Sequence, residues 1–137
     1  MKQLLTSLCL TIAVLLGSAG VSWGAEFLLF DGKKFLGCLS CSKYDSGSIC
    51  NKYGSYGSKY NSDSIWNKYG SYGSKYSSQS PWNKYSSSGP KLVDRNGGYY
   101  GRFSINVYSG FSGSRNLKEI YENVDGDLDE VRNLFCR

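Results

Sequence analysis

The sequence contains no histidine among its 137 residues. Histidine is the commonest general base in enzymes and the commonest metal ligand in proteins. Its absence excludes serine–histidine and cysteine–histidine catalysis, together with the usual catalytic zinc sites. We therefore predict that the protein is not an enzyme and that it has no catalytic residue, no metal site and no cofactor.

Long apolar runs are also scarce, and the sequence has one, from Leu4 to about Ala19. Lys2 precedes this run and small residues follow it as far as Ala25, which is the order of a secretory signal peptide. A membrane anchor is the alternative, but the run contains polar residues and is short for a bilayer of about 30 Å. We predict a signal peptide at residues 1–24 and a periplasmic or secreted protein with no stable membrane span after cleavage.

Four of the five cysteines lie beyond the predicted signal peptide: Cys38, Cys41, Cys50 and Cys136. An even number of cysteines in a short exported chain indicates two disulfides. A four-thiolate zinc site is the alternative, because Cys38 and Cys41 have the spacing of zinc ligands, but the other two cysteines form no matching second pair. Side-chain alternation along the preceding strand favours the pairs Cys38–Cys50 and Cys41–Cys136. The reverse partition stays open.

Three units of 16 residues follow one another without gaps, at residues 43–58, 59–74 and 75–90. The first two are identical at 13 of 16 positions, and the second and third at 10 of 16. We predict a tandem array of structural units, each with a helical turn like that expected at residues 64–70 and then an extended stretch. The recurring tyrosines and tryptophans are expected to form its core. Disorder is the alternative for such a polar, aromatic sequence, but the strict period and the cysteines favour an ordered array.

The segments on either side of the array resemble each other. Residues 35–40 and 99–104 both follow a turn-like stretch, and they lie 64 residues apart, which is four repeat lengths. Asp-Gly and Asn-Gly next to apolar runs predict β-hairpins. We therefore predict hairpin flanks at residues 28–42 and 91–108 that close the array at each end.

The C-terminal segment has apolar residues at helical spacing, which predicts a helical hairpin at residues 116–136 that covers the sheet. Asn116 and Asp127 are expected to cap its two helices. The acidic run at residues 125–130 alternates oxygen ligands as a calcium loop does, but it lacks the remaining ligands, so we interpret it as helix capping. The predicted fold class is α+β, in one small domain at residues 25–137.

Charge is distributed unevenly along the chain. Beyond residue 24 there are 15 basic and 11 acidic residues, with six lysines in the array and a net charge of −3 from residue 117 onward. Lysines spaced among tyrosines are suited to an anionic polymer. The simpler interpretation is that each unit solvates its outer face with two lysines. We predict no nucleic-acid partner, because the protein is exported.

The predicted function is that of a non-catalytic binding or structural module of the cell envelope, whose partner is a cell-wall glycan or an envelope protein. The predicted binding residues are the recurring aromatics Trp66, Tyr69, Tyr72, Trp82 and Tyr85. Two alternatives stay open: a protein that self-associates through basic arrays and acidic tails, and a secreted hydrolase with paired carboxylates. The candidate carboxylates are Asp31, Asp45, Asp63 and Asp94.

The units also resemble those of a group of bacterial exported proteins with tandem N-x-Y-G-x-Y-G-S-x-Y-S repeats. The resemblance lies in NKYGSYGSKYS at residues 67–77, LGCL at residues 36–39 and the tail DLDEVR at residues 127–132, which ends in Cys136. It covers nearly the whole chain beyond the signal peptide and implies a bacterial origin and the same organisation, without an activity. The third unit departs from the pattern at Ser86, Ser88 and Pro90, so its end is expected to pack differently.

Overall fold

The structure is a computed structural model that describes residues 26–137. The predicted signal peptide at residues 1–24 lies outside the described residues. Between residues 26 and 137, no helix has the length and apolar character needed to cross a membrane.

Four strands and two helices are present in this part of the chain. The strands are β1 (Phe27–Asp31), β2 (Lys34–Cys38), β3 (Lys91–Asp94) and β4 (Tyr99–Arg102), and the helices are α1 (Ser114–Asn123) and α2 (Leu128–Phe135). The strands form one antiparallel sheet in the order β2-β1-β3-β4. The predicted α+β class is therefore confirmed.

Both predicted hairpins join in this single sheet, because β1 pairs with β3 across the three repeat units that separate them in the chain. Pairing of the two inner strands satisfies backbone groups that would otherwise be exposed edges. Each flank also bonds to the repeat units. The backbone N–H of Ile49 donates to the carbonyl oxygen of Cys38, and that of Ile105 donates to Pro81, at 3.0 and 2.9 Å.

Each hairpin turns at a glycine with positive φ. Gly32 follows β1 at φ 60°, and Gly97 lies between β3 and β4 at φ 85°, a region in which glycine has no Cβ penalty. The carboxylate of Asp94 accepts hydrogen bonds from the backbone N–H groups of Asn96 and Gly98, both at 2.8 Å. The Asp-Gly and Asn-Gly signals therefore mark the two turns correctly.

One face of the sheet is buried against the repeat units. Leu29, Leu36 and Leu92 are buried on β1, β2 and β3. They belong to one hydrophobic cluster that also contains Ile49 and Ile65. Burying a large aliphatic side chain contributes about 1.5–3 kcal/mol, so this cluster holds the sheet to the repeat units.

Residues 42–88 contain neither helix nor strand; the backbone runs as a succession of turns. The backbone N–H groups of Ser64, Asn67 and Gly70 each donate to the carbonyl oxygen three residues earlier, at 2.9 to 3.3 Å. Bonds of this span close β-turns, whereas an α-helix requires a span of four. The predictions of a helical turn at residues 64–70 and of an extended stretch after it are therefore wrong.

A polar side chain stabilises each of these turns. The Oγ of Ser64 accepts the N–H of Trp66, and the Oδ1 of Asn67 accepts the N–H of Tyr69, at 3.1 and 3.0 Å. The same bond to the N–H two residues ahead is made by Ser42, Asp45, Ser48, Asn51, Ser58, Asn61, Ser74, Ser77, Ser80 and Asn83. Such bonds favour turns over helix. In the first two units the turns advance in four steps of three residues and one step of four, from Gly54 to Ser58 and from Gly70 to Ser74, which accounts for the 16-residue period.

The four-residue step requires a glycine. A Cβ on Gly73 would lie 2.0 Å from the carbonyl oxygen of Asn67, whereas a Cβ on Gly70 would have its nearest neighbour at 3.3 Å. The third unit has Ser86 at the position of Gly70, and its hydroxyl donates to the carbonyl oxygen of Ser78. This departure of the third unit from the repeat pattern is therefore accommodated by one added hydrogen bond.

The two helices form the predicted helical hairpin. Asp127 caps α2 as predicted, because its carboxylate accepts hydrogen bonds from the backbone N–H groups of Asp129 and Glu130. The prediction for Asn116 is wrong: α1 begins at Ser114 and no side chain caps it. The acidic residues of the first turn of α2 are also favourable there, because the helix N-terminus is electropositive.

The helical hairpin packs against the repeat units and does not cover the sheet. The ring of Tyr121 stacks on that of Trp82 with 5.6 Å between centroids, and the guanidinium of Arg132 donates to the carbonyl oxygen of Gly57 at 2.8 Å. The repeat units therefore lie between the sheet and the helices. The prediction that the hairpin covers the sheet is wrong because the units themselves present a second apolar face.

Disulfides join Cys38 to Cys41 and Cys50 to Cys136. Two disulfides were expected, but the pairs Cys38–Cys50 and Cys41–Cys136 and their reverse partition are both wrong. Side-chain alternation would require an extended chain as far as residue 41. The strand β2 instead ends at Cys38 and the chain bends, so that the Cα atoms of Cys38 and Cys41 lie 5.6 Å apart. The Cys38–Cys41 disulfide also joins the two sulfurs whose spacing suggested the four-thiolate zinc site.

Replacing Gly73 by alanine should unfold much of the protein, because the new Cβ would lie 2.0 Å from a backbone oxygen. Overpacking typically costs about 1–3 kcal/mol and more where backbone must move. The matched control is Gly70→Ser, which copies the third unit and should change the free energy of unfolding by less than about 1 kcal/mol. Urea unfolding followed by circular dichroism measures both, and equal losses would contradict this account of the turns.

The two disulfides should differ in their contribution to stability. Cys50–Cys136 spans 86 residues and Cys38–Cys41 spans 3, and the entropy of loop closure grows with span. We expect Cys50→Ala with Cys136→Ala to lower the free energy of unfolding by about 4 kcal/mol, and Cys38→Ala with Cys41→Ala by about 2 kcal/mol. Denaturant titration of the two double variants tests this order, and the opposite order would refute it.

Candidate functional site

The recurring tryptophans are core residues. Trp66 and Trp82 are each 1% exposed, and their rings stack with 5.5 Å between centroids. The indole N–H of Trp66 donates to the carbonyl oxygen of Ile49, and that of Trp82 to Ile65, both at 2.6 Å. The prediction that Trp66 and Trp82 form a binding surface is therefore wrong: each one links its own unit to the unit before it.

Cys50 occupies the position that Trp66 and Trp82 hold in the later units. Its disulfide to Cys136 therefore attaches the end of the helical hairpin where the next tryptophan of the stack would lie. At the other end of the stack, Tyr121 covers Trp82 with an interplanar angle of 5°. The stack is thus enclosed by a disulfide at one end and a tyrosine at the other.

Tyr72, another predicted binding residue, is also buried. Its hydroxyl donates to a carboxylate oxygen of Asp31 at 2.8 Å, and the side-chain amide of Gln79 donates to the same oxygen at 3.0 Å. The pKa of Tyr72 is raised to about 12, mainly by burial and secondly by the hydrogen bond to Asp31. Tyr72 therefore fastens the second unit to the β1–β2 hairpin, and its predicted role in binding is wrong.

The other two predicted binding residues, Tyr69 and Tyr85, are exposed and belong to a regular set. Six lysine–tyrosine pairs project from the repeat units, and we call them the Lys–Tyr ladder. Its members are Lys43 with Tyr44, Lys52 with Tyr53, Lys59 with Tyr60, Lys68 with Tyr69, Lys75 with Tyr76, and Lys84 with Tyr85. The six tyrosines are between 81% and 88% exposed.

The turns explain why these pairs face solvent. Lys68 and Tyr69 are the two central residues of the turn that begins at Asn67, and the preceding turn, whose central residues are Ile65 and Trp66, faces the core instead. In all six pairs the lysine Nζ lies 5.2 to 5.5 Å from the centroid of the adjacent tyrosine ring. A cation–π contact at an exposed site contributes about 0.5–1 kcal/mol, which helps to order each pair.

A row of shallow depressions follows the ladder, each lying between two consecutive pairs. Their volumes range from about 460 to 740 Å³. The helical hairpin forms the opposite wall: Arg132 and Cys136 border the depression at unit one, and Asp125 and Tyr121 border those at units two and three. The row therefore offers aromatic faces, ammonium groups and carboxylates along one side of the molecule.

One ion pair connects the two walls of this row in the described residues. The Nζ of Lys59 lies 3.2 Å from a carboxylate oxygen of Asp129, and this hydrogen bond raises the pKa of Lys59. The remaining ladder lysines form no ion pair with a carboxylate in residues 26–137. Five ammonium groups are thus available to a ligand without the loss of an existing salt bridge.

The carboxylates proposed for a hydrolase are engaged in structural contacts. Asp31 accepts from Tyr72, and Asp63 lies 3.0 Å from the ammonium of Lys34. Asp94 accepts from the hydroxyl of Tyr100 at 2.7 Å, and this bond lowers its pKa. The carboxylate of Asp45 stabilises one of the turns described above. Each of the four therefore has a structural role, while the absence of enzyme activity stays a prediction.

The acidic run at residues 125–130 likewise serves the fold. Asp127 caps α2, and Asp129 pairs with Lys59 and lies 3.7 Å from Arg132. One cluster of potential metal ligands occurs in residues 26–137, formed by Glu26 with Cys38 and Cys41. Both sulfurs of that cluster are joined in a disulfide.

Comparison with known proteins assigns no family or function to the chain. No family model, curated protein or solved structure matches it. The Lys–Tyr ladder is the largest set of exposed aromatic and charged side chains that recurs in the described residues, so we take it as the candidate site. The sequence shows its members as the repeated Lys-Tyr dipeptide, but only the turns reveal that all six face solvent.

Tyr72 should lose its proton at a higher pH than an ordinary tyrosine does. An ordinary tyrosine hydroxyl has a pKa of about 10, whereas the pKa of Tyr72 is about 12. The folded state holds this proton more tightly than the unfolded state, so the stability that Tyr72 contributes is complete below pH 10 and is lost between pH 10 and 12. Tyr72→Phe should remove one late-titrating tyrosine from the absorbance change near 295 nm, while Tyr100 and Tyr121, whose pKa values are also raised, are retained. A late phase of undiminished amplitude in this variant would refute the assignment.

Proposed function

We propose that this protein is a non-catalytic binding module that acts outside the cytoplasm and holds a glycan along its Lys–Tyr ladder. The two disulfides indicate an oxidising, extracytoplasmic location. The observation that carries the proposal is the set of six tyrosines, each more than 80% exposed and each beside a lysine. Large aromatic side chains are usually buried, so a regular exposed set is a binding surface.

The chemistry of the ladder suits a polysaccharide. An aromatic face stacks on the apolar face of a sugar ring, while lysine, carboxylate and asparagine groups bond to its hydroxyls. A repeating polymer meets the same contacts at successive pairs, and several weak contacts on one chain raise the overall affinity by multivalency. A ladder of similar sites therefore fits a polymer better than a single small molecule.

We further propose that the three units form one array closed by its flanks, as the resemblance to exported tandem-repeat proteins suggests. The indole bonds between successive units and the bonds from Ile49 to Cys38 and from Ile105 to Pro81 support this organisation. An array of this kind keeps its binding side chains at fixed intervals. The backbone that carries the ladder is thereby held in place before the ligand arrives, which lowers the entropic cost of binding.

The proposal predicts that Tyr69→Ala with Tyr85→Ala weakens binding to isolated cell-wall polysaccharide by about tenfold or more, since each lost aromatic contact is worth about 0.5–1.5 kcal/mol. The matched control is Tyr99→Ala with Tyr108→Ala, because both of these tyrosines are exposed and neither borders the depressions of the ladder. Co-sedimentation of the purified, oxidised protein with the polysaccharide measures the affinity.

Both double variants should remain folded, with unfolding midpoints close to that of the unaltered protein, because they change exposed side chains. Equal binding by the ladder variant and the control variant would rule out the tyrosines as the contact surface. No sedimentation of the unaltered protein would refute the glycan and direct the search to a protein of the envelope.

A further inference from the structure

The depressions along the ladder differ in charge. The two at unit one are bordered by basic side chains and by no acidic side chain: Lys43, Lys52, Arg132 and Arg137 in the first, and Lys52, Lys59 and Arg132 in the second. The three at units two and three all include Asp125 beside their lysines. Asp127, Asp129 and Glu122 add further negative charge there. The ladder thus has a basic end at unit one and a mixed end at unit three.

The course of the helical hairpin produces this difference. The disulfide Cys50–Cys136 places the end of α2 beside unit one. The acidic loop between α1 and α2 consequently lies beside units two and three, where Asp129 meets Lys59. The difference in charge between the two ends of the ladder is therefore set by the position of the helical hairpin.

The basic end has two lysines without an ion-pair partner in the described residues. Lys43 and Lys52 form no ion pair in the described part of the chain, and each is held over its neighbouring tyrosine. Asp45, the acidic residue of unit one, uses its carboxylate on the backbone N–H of Gly47. Arg132 is buried, bonded to Gly57 and 3.7 Å from Asp129, so the unpaired positive charge at this end is carried by the two lysines.

We propose, resting on the function proposed above, that the ligand is an acidic polysaccharide and that the basic end binds its anionic group, a carboxylate or a phosphate. The mixed end then binds the hydroxyls of the neighbouring sugars, since its carboxylates accept hydrogen bonds from hydroxyls and repel a second anion. The polymer is therefore held in one direction along the ladder, with an anionic group beside Lys43 and Lys52.

The test compares two double variants with the same change of charge, one at each end of the ladder. Lys43→Gln with Lys52→Gln should weaken binding to isolated cell-wall polysaccharide by about tenfold at low salt, and less at high salt, because exposed charges are screened. Lys75→Gln with Lys84→Gln should weaken it by less than about threefold. Co-sedimentation over a series of sodium chloride concentrations gives both values.

The same proteins are then tested on polysaccharide whose carboxylates have been amidated and on polysaccharide freed of phosphodiesters with hydrofluoric acid. The treatment that abolishes the difference between the two variants identifies the anionic group. Equal losses at the two ends, or a difference that survives both treatments together, would overturn this inference and leave the proposed function standing. Absence of binding by the unaltered protein would instead overturn the proposed function, and this inference with it.

Discussion

The structure depends on one recurring type of local hydrogen bond. In it, a backbone N–H donates to the side chain of a serine, asparagine or aspartate two residues earlier. Ser64 and Asn67 show it in the second unit, and it recurs at the turns of residues 42–88 that begin with serine, asparagine or aspartate. In most chains, serine and asparagine weaken regular structure because they compete for backbone groups. Here these residues recur every three positions, so their bonds stabilise a regular series of turns, and a glycine allows the one longer step of the first two units.

The turns also decide which aromatic residues are buried. Ile65 and Trp66 are the central residues of one turn, and Lys68 and Tyr69 are the central residues of the next. The first pair is buried and the second projects into solvent. A single unit therefore makes both the core of the protein and its exposed surface, and duplication of the unit extends the two together.

The sheet and the helical hairpin complete a core that the turns alone cannot enclose. The repeat units have few aliphatic residues, and Leu29 and Leu36 of the sheet supply part of the missing apolar volume. Tyr121 and Val131 of the helical hairpin supply more on the other side. The long disulfide holds that hairpin in one orientation, so the element that closes the core also sets the charge along the ladder.

Much of the local structure was predictable because its causes are local. The hairpin turns at Gly32 and Gly97, the cap at Asp127 and the two helices follow from residues close together in the chain. The serines and asparagines at every third position are the sequence signal of the successive turns. They are ambiguous, because a serine before an apolar pair also resembles a helix cap.

By itself, the sequence determined that the chain has a 16-residue period, an α+β composition and two disulfides, since these follow from residue identity and spacing. Tertiary structure alone decided which cysteines pair and whether a given aromatic residue lies inside or outside. Tyr69 and Tyr72 are three residues apart and of the same type, yet one is exposed and the other is bonded to Asp31. That difference depends on where the β1–β2 hairpin packs. Contacts between segments that are distant in the chain cannot be read from the residue spacing within either segment.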